Sequence, residues 1–130
     1  MDQPDVISHV AVVKPKLGVF IDEISYILVI CTPVSVLLIG LSVLSSGPNR
    51  REIRLYATDM SAPTEIEMTA VVGTESGRIF MCGSQDGNLY ELHYQEHESW
   101  FGKRVQLINH SVGGVQSLFP KLASTRLEGQ

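Results

Sequence analysis

His93-Tyr94-Gln95-Glu96-His97 carries the H-x-x-E-H spacing of the inverted zinc proteases. That chemistry requires one turn of helix, which aims both imidazoles at a single metal with the glutamate beside it. The residues leading into the motif, Asn88-Leu89-Tyr90-Glu91-Leu92, alternate as a strand does. In an extended chain at about 3.3 Å per residue, positions four apart stand about 13 Å from one another, too far to share a zinc. The motif therefore reads as an exposed polar strand end and turn. Cys82, beside Gly83, has no His–Asp arrangement to activate it and reads as a small core residue. Gly73, Gly77, Gly83 and Gly87 separate strands and do not open a helix, so they lack the anion-binding geometry of a phosphate loop. Arg50-Arg51 reads as a solvated pair in a loop. No constellation supports catalysis, and the expectation is a non-enzymatic chain with no cofactor, no metal ligand and no small-molecule substrate.

Composition narrows the class further. The 130 residues are 44% hydrophobic, enough for a real core. The net charge is −4, and the ten basic residues are scattered rather than gathered into the positive stripe that nucleic acid requires. Cys31 and Cys82 cannot build a disulfide framework, which points to a reducing compartment. Asp2 and Asp5 stand where a secretory leader would be basic, so no signal peptide is expected and the Asn109-His110-Ser111 sequon carries no glycan.

Residues 24–49 contain no charge, and residues 27–44 (ILVICTPVSVLLIGLSVL) reach the length of a membrane span. Pro33 would cost a helix interior about 3 kcal/mol. Eight of these eighteen residues are Ile, Val or Thr, which favour pleated surfaces. The reading adopted is two buried strands, Tyr26–Cys31 and Val34–Leu41, joined at Thr32-Pro33, with a small membrane protein spanning at 27–44 as its alternative.

The elements around this run are short strands and turns. Val6–Lys14 reads as a strand, broken by Pro15-Lys16-Leu17-Gly18 before Val19–Glu23. Residues 45–50 read as a loop, Glu52–Thr58 as a half-buried strand with Ile53, Leu55 and Ala57 on one face, and Thr58–Glu67 as another loop. Met68–Gly73, Arg78–Cys82 and Asn88–Tyr94 form three strands joined at Glu75-Ser76-Gly77 and Gln85-Asp86-Gly87. Gly77, Asp86 and Gly87 are the turn residues, because tight hairpins need positive φ. No sustained amphipathic helix appears before residue 110. The pattern is an all-β antiparallel meander of propeller type. At roughly 40–50 residues per blade, the chain holds two to three blades, fewer than the four that a closed ring needs.

Several blocks, in order, give a more specific identification. VVKPKLGVF (12–20), ISYILVICTPVSVLLIGLS (24–42), GTESGRIFMCGSQDGNLYELHYQ (73–95), Trp100-Phe101 and INHS (108–111) together resemble the N-terminal β-propeller of the inner-ring nucleoporins of the 155/170 type. The resemblance runs from about Val10 to Leu122. It implies that residues 1–130 are a fragment of that propeller, lacking its later blades and the helical solenoid that follows. It also implies a structural role in the nuclear pore complex of the nucleus, supporting nucleocytoplasmic transport. The implied partners are inner-ring and membrane-anchored nucleoporins. A propeller-type interaction module of another assembly is the alternative; it would share the Asp86-Gly87 turn but not the K-P-x-x-G-x-F and N-H-S blocks. Trp100 and Phe101 read as an anchor holding their loop to the blade.

Residues 111–124 (SVGGVQSLFPKLAS) offer one sharper functional hypothesis. On a helix, Val112, Val115, Leu118, Phe119 and Leu122 form an apolar stripe opposite small uncharged residues. Such a face enters membranes where lipid packing is loose, as at curved bilayers. Related nucleoporins carry a lipid-packing sensor in a propeller loop, and the position after N-H-S resembles it. Gly113, Gly114 and Pro120 disfavour helix, so a loop and a short amphipathic helix both stand as readings near the C-terminus. The partner implied is the curved nuclear envelope.

Overall fold

A computed structural model of the chain describes residues 6–96 and 104–111. Eight strands follow one another: β1 (His9–Val13), β2 (Tyr26–Cys31), β3 (Ser35–Gly47), β4 (Arg50–Pro63), β5 (Met68–Gly73), β6 (Ile79–Gly83), β7 (Leu89–Tyr94) and β8 (Val105–Asn109). They make two antiparallel four-stranded sheets, ordered β1-β2-β3-β4 and β5-β6-β7-β8. Each is an up-and-down meander, the topology of a propeller blade.

The apolar run of residues 27–44 resolves into β2 and the start of β3. Leu28 pairs with Ile39 and Cys31 with Val36 across a hairpin at Thr32–Val34. Thr32 organises that hairpin: Ser35 N and Val34 N donate to its Oγ1 at 3.0 and 3.3 Å. Pro33, which would break a helix, is at home there. Among the described residues no helix is long and apolar enough to cross a membrane.

Three local expectations are corrected. Residues 45–50 are a tight turn rather than a loop: β3 continues to Gly47 and β4 starts at Arg50, with Gly47 at φ 144° and Asn49 at φ 64°. Residues 58–63 continue β4 instead of leaving it. A bulge absorbs two extra residues, Thr58 and Asp59, the latter at φ 57°, so the alternation is kept and Met60 and Ala62 point inward. Thr58 Oγ1 donates to the Leu38 carbonyl at 2.5 Å across the irregularity. Pro63 then ends an edge strand, where its missing N–H costs nothing. Ile53 and Leu55 do share a face, but it is open: they are 65% and 58% exposed. Alternation identified the strand correctly, while the buried side was set by where the second sheet lies. Residues 17–23, after the break at Pro15, form turns, closed by Ile24 N donating to Ile21 O at 3.0 Å.

The core lies between the sheets. Val13, Ile27, Val29, Cys31, Val36, Leu38, Met60 and Ala62 of the first sheet meet Met68, Ile79, Met81, Leu92 and Tyr94 of the second. β1 and β5 approach so closely at one end that a Cβ on Gly73 would stand 2.6 Å from the Val13 Cβ. Tyr94 also ties the two sheets together. Its hydroxyl donates to the Gly77 carbonyl and accepts from Lys16 N at 2.9 Å. Its ring stacks on Phe20 at 5.9 Å, with Lys16 Nζ 4.9 Å above it. Burial pushes the phenol up to about 12.

Candidate interaction surfaces and a buried ion cluster

Each sheet has a second face that points away from the core. Register fixes which side chains lie there, because directly paired residues share a face. In the first sheet Val10 pairs with Ile30 and Val12 with Leu28. Ile30 then pairs with Leu37, and Leu28 with Ile39. Leu41 pairs with both Tyr26 and Leu55, and beyond the end of β2 the strands β3 and β4 run on as a two-stranded ribbon in which Val43 pairs with Ile53. The outward face is therefore a continuous apolar ladder, with Val10, Val12, Val43, Ile53 and Leu55 all exposed. Arg50, Arg51 and Glu52 sit at the tip of the ribbon. At the bulge a groove of about 590 Å³ opens between Leu37, Ile39, Leu55 and Ala57.

The outward face of the second sheet is different in kind. Phe80 pairs with Glu91, and Glu91 with Ile108, placing a carboxylate in mid-sheet. Glu91 is 2% exposed, yet it is fully partnered. Arg78 Nε and Nη2 donate to its two oxygens at 2.8 and 2.7 Å. His110 Nε2 lies 2.9 Å and His93 Nε2 3.4 Å from the same Oε1. The Arg78 fork, backed by His110, holds the carboxyl well below its usual range, down to about 2, against the opposing effect of burial. Arg78 also lies over the Phe80 ring at 4.8 Å. Glu91, His93 and His110 place one ligand atom each within 4.8 Å of one another, so they are the residues that could hold a divalent ion. Both carboxylate oxygens are already taken by Arg78, which makes the cluster an ion-pair lock joining β6, β7 and β8.

The turn residues Gly77, Asp86 and Gly87 all occupy turns. Gly77 has φ 93° and abuts the Lys16 backbone, where a Cβ would stand 2.4 Å from its nitrogen; Gly87, at φ 68°, faces open space. Asp86 caps its turn by accepting from Asn88 N at 3.0 Å, Asn88 Nδ2 at 3.1 Å and the Tyr90 hydroxyl at 2.6 Å. The Tyr90 bond first, then the Asn88 amide, lower the Asp86 carboxyl, and the same bond raises the Tyr90 phenol. Asn109-His110-Ser111 closes the β7–β8 pair: His110 N donates to Leu89 O at 2.8 Å and Leu89 N to Ser111 Oγ at 2.8 Å.

His93 and Tyr94 of the H-x-x-E-H motif are strand residues on opposite faces, one beside Glu91 and the other in the core. His97 lies outside the described residues, as do the anchor Trp100 and Phe101 and the membrane-contact candidates Val112, Val115, Leu118, Phe119 and Leu122. Cys31 is buried, but Cys82 is exposed on the outward face of the second sheet, correcting its reading as a core residue. The Glu91 cluster was missed by sequence reasoning, although Arg78, Glu91 and His110 all stand inside the motif blocks. Its one signal is a carboxylate in the strand Leu89–Tyr94 with no lysine or arginine near it in sequence; Arg78 comes alongside only in the folded sheet.

Comparison with known proteins extends this picture. The family model described as Nup133 N terminal like matches residues 1–128. The chain is 38% identical over 120 residues to the nuclear pore complex protein Nup154 of Drosophila melanogaster, and 38% identical over 118 residues to nucleoporin NUP170 of Chaetomium thermophilum. These alignments cover 89% and 90% of this chain but only 9% and 8% of those proteins, so the chain spans about a tenth of the length of its relatives. The crystal structure of the Chaetomium thermophilum Nup170 N-terminal domain in complex with Nup53 superposes at a TM-score of 0.76 and 38% identity, covering 82% of this chain and 15% of that one. The fold is thus all-β and a partial β-propeller of two blades, and the chain belongs to the nucleoporin family with a Nup133-like N-terminal domain.

Proposed function

We propose that this chain acts as a structural segment of the nuclear pore scaffold at the nuclear envelope, working through protein–protein contacts rather than catalysis. One observation carries the reading: its two blades match, at 38% identity, part of a nucleoporin N-terminal domain that was crystallised bound to another nucleoporin. By this reading the partners are other nucleoporins of the inner ring and those anchored in the membrane. The cluster with most chemical potential, Glu91 with Arg78 and His110, is a lock within the second blade and offers no open reaction centre. A fluorescent fusion of the chain is expected at the nuclear rim, co-purifying with inner-ring nucleoporins. A diffuse distribution with no nucleoporin in the purified fraction would overturn the proposal.

The same reading assigns contact with curved membrane to residues 111–124. Its support is the stripe of Val112, Val115, Leu118, Phe119 and Leu122 opposite uncharged small residues, which binds by insertion more than by charge. Flotation with liposomes should strengthen as vesicle diameter falls and change little with salt. A Leu118→Asp, Phe119→Asp variant that bound small vesicles as well as the parent would remove this assignment.

A further inference from the structure

The second sheet gathers two imidazoles on one carboxylate, and neutralising that carboxylate calls for neither. Arg78 already matches the charge of Glu91 and reaches both of its oxygens, at 2.8 and 2.7 Å. Yet His110 Nε2 stands 2.9 Å and His93 Nε2 3.4 Å from the same Oε1. Register explains how they arrive there. Glu91 and His93 are two apart on β7 and so share a face. Glu91 pairs with Ile108, and His110, two residues further on, returns to that same face just after β8. The imidazoles thus flank the carboxylate from opposite ends, with both ring nitrogens and Oε1 within 4.8 Å of one another. The Glu91 and His110 side chains are only 2% and 15% exposed. All three groups come from one pair of neighbouring strands, so their convergence does not rest on the outward face being open.

We propose that Glu91, His93 and His110 bind one divalent transition-metal ion of the zinc type, which staples β7 to the end of β8. Two imidazoles and one carboxylate suit zinc, cobalt or nickel, whereas calcium and magnesium take oxygen ligands. In a tetrahedral zinc site with bonds of about 2.0–2.1 Å, neighbouring ligand atoms stand about 3.4 Å apart. Glu91 Oε1 lies 3.4 Å from His93 Nε2 and 2.9 Å from His110 Nε2, so small side-chain rotations seat the ion. A neutral imidazole carrying its proton on Nδ1 offers the Nε2 lone pair to the metal. A carboxylate oxygen has two lone pairs, so Oε1 can take the ion while Oε2 keeps its bond from Arg78 Nε. A hydrogen-bonded partner of that kind holds a ligating carboxylate in place. The guanidinium charge also repels the ion, which sets the affinity in the micromolar rather than the nanomolar range. Three protein ligands leave a fourth position for water.

Calorimetric titration of the metal-free chain with zinc chloride tests the site. One ion per chain is expected, with a Kd of about 1–50 µM. The thermal midpoint should rise by about 5 °C or more at a hundredfold excess of zinc over Kd. Magnesium chloride at the same concentration should do neither. Cobalt in place of zinc should give the visible absorption of a four- or five-coordinate ion. His93→Ala should weaken zinc binding at least about tenfold with the β-sheet circular dichroism unchanged, because that side chain is half exposed. His110→Asn repeats the test if His93→Ala does not fold, and His9→Ala, outside the cluster, should leave binding intact. A folded chain that takes up no zinc, zinc held as tightly after either substitution in the cluster, or magnesium as effective as zinc would each overturn the proposal.

Discussion

Replacing Glu91 by Gln should remove the charge that holds the second blade's outer strands together while keeping the side chain's shape. The carboxylate is buried, takes both arms of the Arg78 fork and stands 2.9 Å from His110. A carboxyl held at about 2 instead of 4.5 corresponds to a few kcal/mol of native-state preference for the ionised form. Arg78 is half exposed, at 49%, so solvent screens the pair and the guanidinium can swing into water once its partner is neutral. The expected loss is therefore about 2 kcal/mol at pH 7, or a fall in melting temperature of roughly 6–10 °C for a domain of this size. The pH dependence separates charge from packing. A carboxyl whose folded value is depressed contributes stability that is complete above its unfolded value and fades as pH falls through the folded one. Parent and variant should thus differ fully above about pH 5 and converge as pH falls from 4.5 toward 2. The assay is thermal unfolding followed by circular dichroism at pH 7, 5.5 and 3. A variant equally destabilised at pH 7 and pH 3 would refute the electrostatic account, and a variant as stable as the parent at pH 7 would refute the lock itself.

Gly77→Ala and Gly87→Ala should separate conformational strain from crowding, since both glycines have positive φ but only Gly77 abuts the Lys16 backbone. Urea unfolding is expected to show about 1 kcal/mol lost at Gly87 and about 2 kcal/mol or more at Gly77; equal losses would contradict the close approach. Tyr94→Phe removes a hydroxyl bonded to Gly77 and Lys16 and should cost about 1–3 kcal/mol in the same assay. Ultraviolet titration of the parent should find one phenol ionising at about 12, absent from that variant.

Which parts of this molecule were legible in one dimension follows from the range of the interactions involved. Strands β5, β6 and β7 could be read directly, because the Gly77 and Asp86-Gly87 turns declare themselves through local backbone chemistry. The apolar run 27–44 was divisible at Pro33 for the same reason: a missing N–H and a fixed φ act within a few residues. The family, too, was carried by short blocks such as K-P-x-x-G-x-F and N-H-S, whose order along the chain needs no coordinates. The continuation of β4 through Ser61-Ala62-Pro63 was not legible, since it depends on pairing with Ser35–Leu38 and on a bulge that forms only against that partner. Nor was the exposed side of Ile53 and Leu55. Period-two alternation says that a strand has two faces, and only the position of the second sheet decides which of them is covered. The Glu91 lock gathers Arg78 from just before β6, Glu91 from β7 and His110 from just after β8, and ion pairing at that separation is a property of the folded sheet. Local backbone preference is written residue by residue; burial and charge pairing are written by what the chain brings alongside.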